Sequence, residues 1–413
     1  MSENKDIIFL GRFFTPSVLE KVMADPKYNI GISNHNFEMS LIDGMKNSCR
    51  LRNINLRIIS LPAVFSYPQY NSHIFMPSEK YVENGVQVSS IPVLSLVGLN
   101  KIWILFSLLI TLVRAYSSAQ NKNISLIVNT PDWIDDTAVF VSRLFTRKKV
   151  SSVLVVPDIP EIMNTMFGRK RTLKRRLVSL LNRYGQKVAN KYDGYVFLTE
   201  QMKGFFRKGA PHIVMEGIAN SKWFSQEPSR SDSPEYPVIL YTGSICRVFG
   251  IKTLLDAFSK MKNGKAELWI CGDGDMAEEL RNDALTNPRI KFPGMISAEK
   301  ARELQMRATV LVNPRNSSGE FTKYSFPSKT MEYLASGKPV VMNRLPGIPG
   351  EYLRYLFIPA DESADALAAT LDAVLDMPAD VLENIGKKGK TFVMENKNSG
   401  KQAERIIDFS LML

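Results

Sequence analysis

Short apolar runs alternate along this chain with stretches whose apolar residues recur at helical spacing. Asp6-Ile7-Ile8-Phe9-Leu10, ending at Gly11-Arg12, predicts a strand that leaves into a tight loop. INLRIISL (Ile54 to Leu61), SLIVN (Ser125 to Asn129), SVLVV (Ser152 to Val156) and GYVFL (Gly194 to Leu198) predict further strands. Gly85 to Ile91 adds one, and Val214 with its neighbours closes this half. A helix is predicted from about Ile134 to Phe145. IWILFSLLITLV (Ile102 to Val113), bracketed by Lys101 and Arg114, is too short to span a bilayer and predicts a buried or interfacial helix.

EPSRSDSPEYP (Glu227 to Pro237) is rich in Pro and Ser and reads as a linker. Beyond it the alternation resumes, with strands at Val238 to Tyr241, Ala266 to Cys271, Ile290 to Phe292 and Val310 to Val312. Helices are predicted at Lys252 to Met261, Met276 to Ala284, Ala298 to Arg307 and, Ala-rich, Ser363 to Leu375. In YSFPSKTMEYLASGKPVV (Tyr324 to Val341), Pro327 suits a first helical turn and Ser328 a cap, Gly337 stops the helix, and Val340-Val341-Met342 is a buried strand. Alternating strands and helices predict an α/β chain of two doubly wound domains with parallel sheets and a cleft between their carboxyl ends. The expected division is 1–225, 226–395, and a C-terminal helix over 396–413 that packs back on the first domain.

Length agrees with two domains, since 413 residues at 45% hydrophobic and 23% charged are enough for two cores. The three cysteines, Cys49, Cys246 and Cys271, are too scattered for a disulfide framework or a metal cluster and suit a reducing cytoplasm. MSENKDIIFLGRFF has neither a long apolar core nor a small-residue cleavage site, so no signal peptide is expected. The net charge of +12 favours polyanions: nucleic acid, anionic lipid or phosphate-bearing substrates.

Several stretches carry candidate chemistry. In Gly243-Ser244-Ile245-Cys246-Arg247 and the helix that Gly250 opens, turn amides with Arg247 and Lys252 suit a diphosphate; taken alone, this is a plain strand–helix turn with solvent-facing cations. Gly272-Asp273-Gly274-Asp275 has an Asp-x-Asp spacing, but the reading favoured is a turn whose acids cap the next helix, with no metal. Glu332 could fork onto the adjacent hydroxyls of a ribose. RKRTLKRRLVSLLNRYGQK (Arg169 to Lys187) is a basic amphipathic helix, suited to an anionic membrane or to a sheet of its own with a solvated outer face. His35, His73 and His212 share no metal-ligand spacing; His35 lies in the polar helix-opening stretch Ser33 to Glu38.

YTGSICRVFGIKTLLDAF, LWICGDGDMAEEL, IKFPGMIS and YSFPSKTMEYLASGKPVV, in this order over Val238 to Val341, resemble the bacterial family 4 glycosyltransferases of the two-domain GT-B type. VVPDIPEIM, YVFLTEQMKGF and HIVMEGI extend the resemblance more weakly to the first half. The resemblance implies that Glu332, the last acid of a Glu-x7-Glu signature, binds the nucleotide ribose, and that Ser325 to Ser328 face the donor sugar and phosphates. The signature's first acid is replaced by Tyr324, with Glu320 nearby. Ser244 and Phe249 stand where the family has a basic pair; Arg247 is the stand-in and Lys329 the second candidate. Pro157-Asp158 replaces a His-Asp pair, so Asp158 takes over contact with the sugar.

The implied catalytic set is Asp158, Arg247, Lys329 and Glu332. The implied donor set is Gly11, Gly243, Ser244, Arg247, Lys252, Gly272, Met295, Ile296, Tyr324, Ser325, Phe326, Pro327, Ser328, Lys329 and Glu332. The implied acceptor set is Arg12, Asn34, His35, Asn36 and Glu38. The expected function is retaining transfer of a sugar, a hexose, from a nucleotide diphosphate sugar to a hydroxyl of a lipid-linked glycan in cell-surface polysaccharide synthesis such as capsule or O-antigen. The enzyme is expected to be cytoplasmic, peripheral on the inner face of the plasma membrane through Arg169 to Lys187, and to need no metal or cofactor. Two other readings are a nucleotide-sugar epimerase of the same fold and a basic nucleic-acid-binding protein. The second lacks aromatics interleaved with its cations.

Overall fold

The computed structural model describes residues 5–23, 32–62, 74–159, 162, 173–220 and 234–413, with the side chains of 22–23, 32–34 and 173–179 outside the description. The chain divides into two compact units, Met1–Glu216 with Ser399–Leu413, and Gly217–Asn398. The division falls at 216/217 and 398/399, against the expected 225/226 and 395/396. The expected linker lies largely outside the described residues.

The first unit is built on β1 (Lys5–Gly11), β2 (Leu56–Ser60), β3 (Phe75–Met76), β4 (Lys80–Glu83), β5 (Val86–Ser90), β6 (Val93–Leu94), β7 (Asn123–Asn129), β8 (Lys149–Val156), β9 (Gly194–Phe197) and β10 (His212–Val214). Its eight-stranded sheet has the order β10-β9-β8-β7-β1-β2-β5-β4. Neighbours are parallel except β4 and β5. Helices cover it: α1 (Pro16–Met23), α2 (Ile32–Leu51), α3 (Leu99–Ser117), α4 (Trp133–Ser142) and α5 (Leu173–Ala189). Ile7, Ile8 and Phe9 of β1 and Leu126 and Ile127 of β7 are fully buried, as continuous apolar strands covered on both faces must be. The added strand expected at Gly85 to Ile91 is β5. It belongs to a hairpin whose two-residue turn, Asn84-Gly85, has φ of 52° and 79°, the positive pair that a type I′ turn requires.

The second unit carries β11 (Val238–Thr242), β12 (Glu267–Cys271), β13 (Ile290–Gly294), β14 (Val310–Asn313) and β15 (Val340–Met342). They form a five-stranded parallel sheet in the order β13-β12-β11-β14-β15. Its helices are α6 (Ile251–Lys260), α7 (Ala277–Thr286), α8 (Ala298–Arg307), α9 (Ser328–Ser336), α10 (Ala364–Leu375) and α11 (Ala379–Asn396). One core cluster runs from Ile239 and Ile270 to Leu254, Phe258 and Leu371. The chain then returns to the first unit as α12 (Ser399–Met412), which buries Ala403, Ile406 and Ile407. Ser125 Oγ of β7 donates to Ser410 O at 3.1 Å. Gly44 of α2 lets α12 approach, since a Cβ there would overlap the Ser399 carbonyl.

In each sheet the strand order reverses once at the middle, between β1 and β7 and between β11 and β14. Loops at the carboxyl ends of strands flanking such a reversal are where doubly wound folds hold ligands.

Candidate functional site

In the second unit, β11 ends in Tyr241-Thr242-Gly243-Ser244, β14 ends in Asn313-Pro314-Arg315, and α9 begins beside both. Tyr241, Ser244, Phe249, Asn313, Arg315, Phe326, Pro327, Ser328 and Lys329 line a cavity of about 190 Å³ at this reversal point. Arg315 is 8% exposed. Its Nη2 donates to Ser325 Oγ at 2.6 Å, and the guanidinium lies 4.5 Å from the Phe321 ring centroid. Its Nε and the Nδ2 of Asn313 are buried donors without a hydrogen-bond partner. Burial pushes the Arg315 guanidinium down to about 10, so it remains charged at neutral pH.

Lys329, half-buried, sits 5.4 Å from the centroid of the Tyr241 ring. Burial lowers its pKa, and the nearby carboxylate of Glu332 only partly offsets this. Among the described residues no carboxylate lies within ion-pair distance of Arg315 or Lys329. Gly243, at φ 136°, leaves the space for Lys329: a Cβ there would overlap the lysine ammonium. The N-cap of α9 is Pro327, and no side chain caps the helix, so Ser328 does not play the capping role expected of it. The first amides of α9 therefore face the cavity's end of the helix without a side-chain acceptor.

Glu332 lies one turn further along α9 and is half-buried. Its Oε1 accepts from Gln305 Nε2 at 3.0 Å, and the same amide donates to Thr242 Oγ1 at 3.0 Å. Gln305, fully buried on α8, thus fixes the carboxylate against the end of β11; nothing in its sequence context pointed to this.

The structure does not bring the other expected donor residues to the cavity. Arg247 is exposed and pairs with Glu279 Oε2 at 2.6 Å. Lys252 is exposed and pairs with Asp256 at 3.1 Å and Glu279 at 3.6 Å. Glu320 opens the short helical turn before α9 (Glu320–Lys323) and Tyr324 follows it as the C-cap; neither lines the cavity, and Glu320 is exposed. Gly272 turns the chain after β12, and Met295-Ile296 follow β13, with Met295 exposed. Asp275 Oδ1 accepts the Arg247 amide at 2.9 Å, so the Asp-x-Asp run is in use as a turn. Its acids do not cap the next helix as expected: the N-cap of α7 is Met276, with no side-chain hydrogen bond.

The expected acceptor residues form part of a buried polar cluster in the first unit. Arg12 binds Asp135 Oδ2 through Nη2 at 2.5 Å and Asp132 Oδ2 at 3.2 Å. Burial works against its charge, but the two carboxylates outweigh this and hold the guanidinium above its ordinary value. Asp135 is pushed up to about 7 by burial, against the pull of Arg12. Glu38, 2% exposed and packed on Gly11, is likewise pushed up to about 7 by burial. His35 is buried, and its Nδ1 accepts the Phe14 amide at 3.3 Å. Asn36 is exposed, and the Asn34 side chain lies outside the described residues.

Asp158, at the end of β8, adjoins this cluster through Asp132, which pairs with Arg12 and lines the same cavity as Asp158. It shares a cavity of about 290 Å³ with Lys101, Asp132, Trp133, Asp136, Asn182 and Gln186, among others. Trp133 and its acidic neighbours were missed in the sequence. Their one signal there was their place just after the apolar run SLIVN, at a strand's carboxyl end. Of the basic stretch Arg169 to Lys187, residues 169–172 lie outside the described residues, and the described helix starts at Leu173.

Residues 236–377 match the family model described as glycosyl transferases group 1. No curated protein matches the chain. Among solved structures, sucrose-phosphate synthase from Thermosynechococcus elongatus is similar over 98% of both chains, with 15% identity and a TM-score of 0.62. HepE of Anabaena in complex with UDP is similar over 98% of this chain and 99% of its own, with 15% identity and a TM-score of 0.60. A lipopolysaccharide outer core galactosyltransferase in its apo form is similar over 98% and 99%, with 13% identity and a TM-score of 0.59. The whole chain therefore has the two-domain GT-B fold, as expected from the sequence.

Proposed function

We propose, from the premise that the chain is a glycosyltransferase whose residues 236–377 form a group 1 domain, that it transfers a hexose with retention from a nucleoside diphosphate sugar to a hydroxyl of a lipid-linked glycan in cell-surface polysaccharide synthesis. The observation that carries this reading is the cavity at the end of β11 and β14. Two cations without an acid, Arg315 and Lys329, share it with an unpartnered Asn313 amide and an uncapped helix N-terminus. A diphosphate supplies the missing negative charge and acceptor oxygens. When the bond between the anomeric carbon and the diphosphate oxygen breaks, charge grows on the leaving group, and these fixed groups stabilise it. The acceptor hydroxyl oxygen then bonds to the anomeric carbon on the face the diphosphate vacates and gives its proton to the departing diphosphate oxygen.

Glu332, oriented by Gln305, takes the ribose hydroxyls. Ser244 and Phe249 line the same cavity, so the charge absent from those two positions is restored from the β14 and α9 side. Cations built into the fold do the work of a divalent ion, and the reaction needs no metal or cofactor. The enzyme works at the inner face of the plasma membrane, where the basic stretch Arg169 to Lys187 adds attraction to anionic headgroups.

HepE's complexes with UDP and UDP-glucose make uridine diphosphate the first ligand to try. In calorimetric titrations, Arg315→Ala and Lys329→Ala should each weaken UDP binding by about tenfold to a hundredfold, the range for hydrogen bonds to charged groups, and leave uridine unchanged. Glu332→Ala should weaken both ligands, because both carry the ribose. Arg247→Ala should change neither, and a chelator should alter neither affinity nor turnover. Unaltered UDP binding in both Arg315→Ala and Lys329→Ala would remove the basis of the assignment.

A further inference from the structure

Helix α3 (Leu99–Ser117) carries two unlike faces. Leu108, Leu112, Ala115 and Tyr116 are buried in the first unit. On the opposite face, Leu99, Ile102, Trp103, Phe106 and Ile110 are all exposed, at spacings of three and four residues that align them in one stripe. Phe75 on β3 meets Trp103 edge-on at 6.2 Å and is itself 51% exposed, and Ile74 and Val97 extend the patch. Scattered exposed apolar residues are ordinary, but a contiguous stripe of large ones next to the short β3–β6 sheet marks an interaction surface.

We infer that this stripe docks on an anionic lipid bilayer, with α3 lying in the plane of the interface. Three observations select a bilayer. The stripe is aliphatic and aromatic with Trp and Phe, the composition that settles at the headgroup–acyl boundary. Exposed Lys101 and Arg114 stand near its two ends, in a chain of net charge +12. Lys101 also reaches over the Trp133 ring at 5.5 Å, and Trp133 contacts Tyr184 of α5 at 6.4 Å, so α3 adjoins the basic helix that supplies further attraction. The helix runs for 19 residues, beyond both ends of the run Ile102 to Val113 that was expected to be too short to span, and an 18-residue window of it has a mean hydropathy of 1.4, enough to cross a membrane by length and composition. Its other face holds it on the unit instead. Arg57 of β2 donates to the Ala115 and Ser118 carbonyls, and Tyr116 accepts from Ser142; a spanning pose would give these up.

The inference deepens the proposed function and rests on it in one respect. Lys101 of α3 also lines the cavity that holds Asp132, Asp158 and Trp133, so docking brings that cavity's rim to the level of a lipid-linked acceptor.

The test is flotation of the full chain with vesicles of phosphatidylcholine containing about one part in four of phosphatidylglycerol, at low and at high salt, a composition that reads both insertion and charge. The wild type should float, and a part should stay bound at high salt because apolar insertion is not screened. Phe106→Glu with Ile110→Glu should remove flotation at both salts while UDP binding in the second unit is unchanged, which also shows that the variant has folded there. Lys174→Glu with Arg175→Glu should lose only the salt-sensitive part. Independently of any destabilisation, the tryptophan emission of the wild type should shift to the blue on adding vesicles, and Trp103→Phe should remove most of that shift. A wild type that stays unbound, or a stripe variant that floats as well as wild type, overturns the inference. So does a concentration-dependent dimer that the stripe variant dissociates, since the stripe would then be an interface between copies. Loss of UDP binding in the wild type would instead overturn the proposed function and leave the docking result standing.

Discussion

Arg247 and Arg315 carry the same guanidinium in different surroundings. The first is exposed and pairs with Glu279, an arrangement worth about 0–1 kcal/mol. The second is buried with aromatic rings and a serine hydroxyl for company, and an unpaired buried charge costs several kcal/mol. A fold tolerates that cost where a ligand later supplies the counter-charge. Glu38 shows the same logic with the opposite sign. Burial raises its pKa from 4.5 to about 7, so between those values the native state holds the proton more tightly than the unfolded chain does. Stability from this group is therefore intact below pH 4.5 and falls as pH rises to about 7. At about 1.4 kcal/mol per unit, the ionised carboxylate costs on the order of 3 kcal/mol above that point. Glu38→Gln should match wild type in thermal melts near the lower value and exceed it in stability above the upper one. A difference that stays flat across the range would show that Glu38 does not titrate there. None of these burial effects was legible in the sequence. Arg247 drew attention because it neighbours a glycine turn, while Arg315 stands in an unremarkable polar loop.

At the scale of elements, the most legible parts were those whose local chemistry agrees with their place in the sheet. The apolar runs at β1, β7, β8, β11 and β14 were readable because both faces of each are covered. The Gly337 stop of α9 was readable because the chain there takes φ 79°. The edge strand β4 was not, since KYVE alternates between exposed and half-buried positions and has no apolar run. The start of α9 was misread by one position: Pro327, not Ser328, is the N-cap, and that leaves amides open that a serine would have closed. Gly243 was readable as a turn glycine, but not as the residue that admits Lys329. Its role predicts a separable defect. Gly243→Ala should force the lysine aside and disfavour a φ of 136°, weakening UDP binding by about tenfold, equal to about 1.4 kcal/mol, with uridine binding kept. If UDP affinity is unchanged in this variant, Lys329 does not need the space that the glycine leaves.

For the whole molecule, chain connectivity separates two tasks. The second unit, Gly217–Asn398, is inserted in the first, which the chain leaves at Glu216 and re-enters at Ser399. Each sheet draws its strands from its own unit, so neither needs a strand from the other. The ends of the inserted unit are already joined: the Ala219 amide donates to Lys397 O at 2.8 Å, and Lys397 Nζ reaches Glu351 at 2.7 Å. Its core cluster lies entirely within it, and so do Arg315, Lys329, Glu332 and Gln305. The first unit is in the opposite position, because α12 is a separate piece of chain that covers β7 and α2 and must come back to complete it. Residues 217–398 expressed alone should therefore unfold cooperatively and bind UDP within a few-fold of the full chain, since short joined ends add little loop-closure cost. A chain ending at Asn398 should keep that UDP binding but expose the apolar surface that Ala403, Ile406 and Ile407 cover, and should aggregate or lose the first unit's melting transition. Failure of the isolated 217–398 segment to fold would mean that its stability depends on residues outside it. A folded segment that does not bind UDP would mean that the cavity between β11, β14 and α9 is not the nucleotide site.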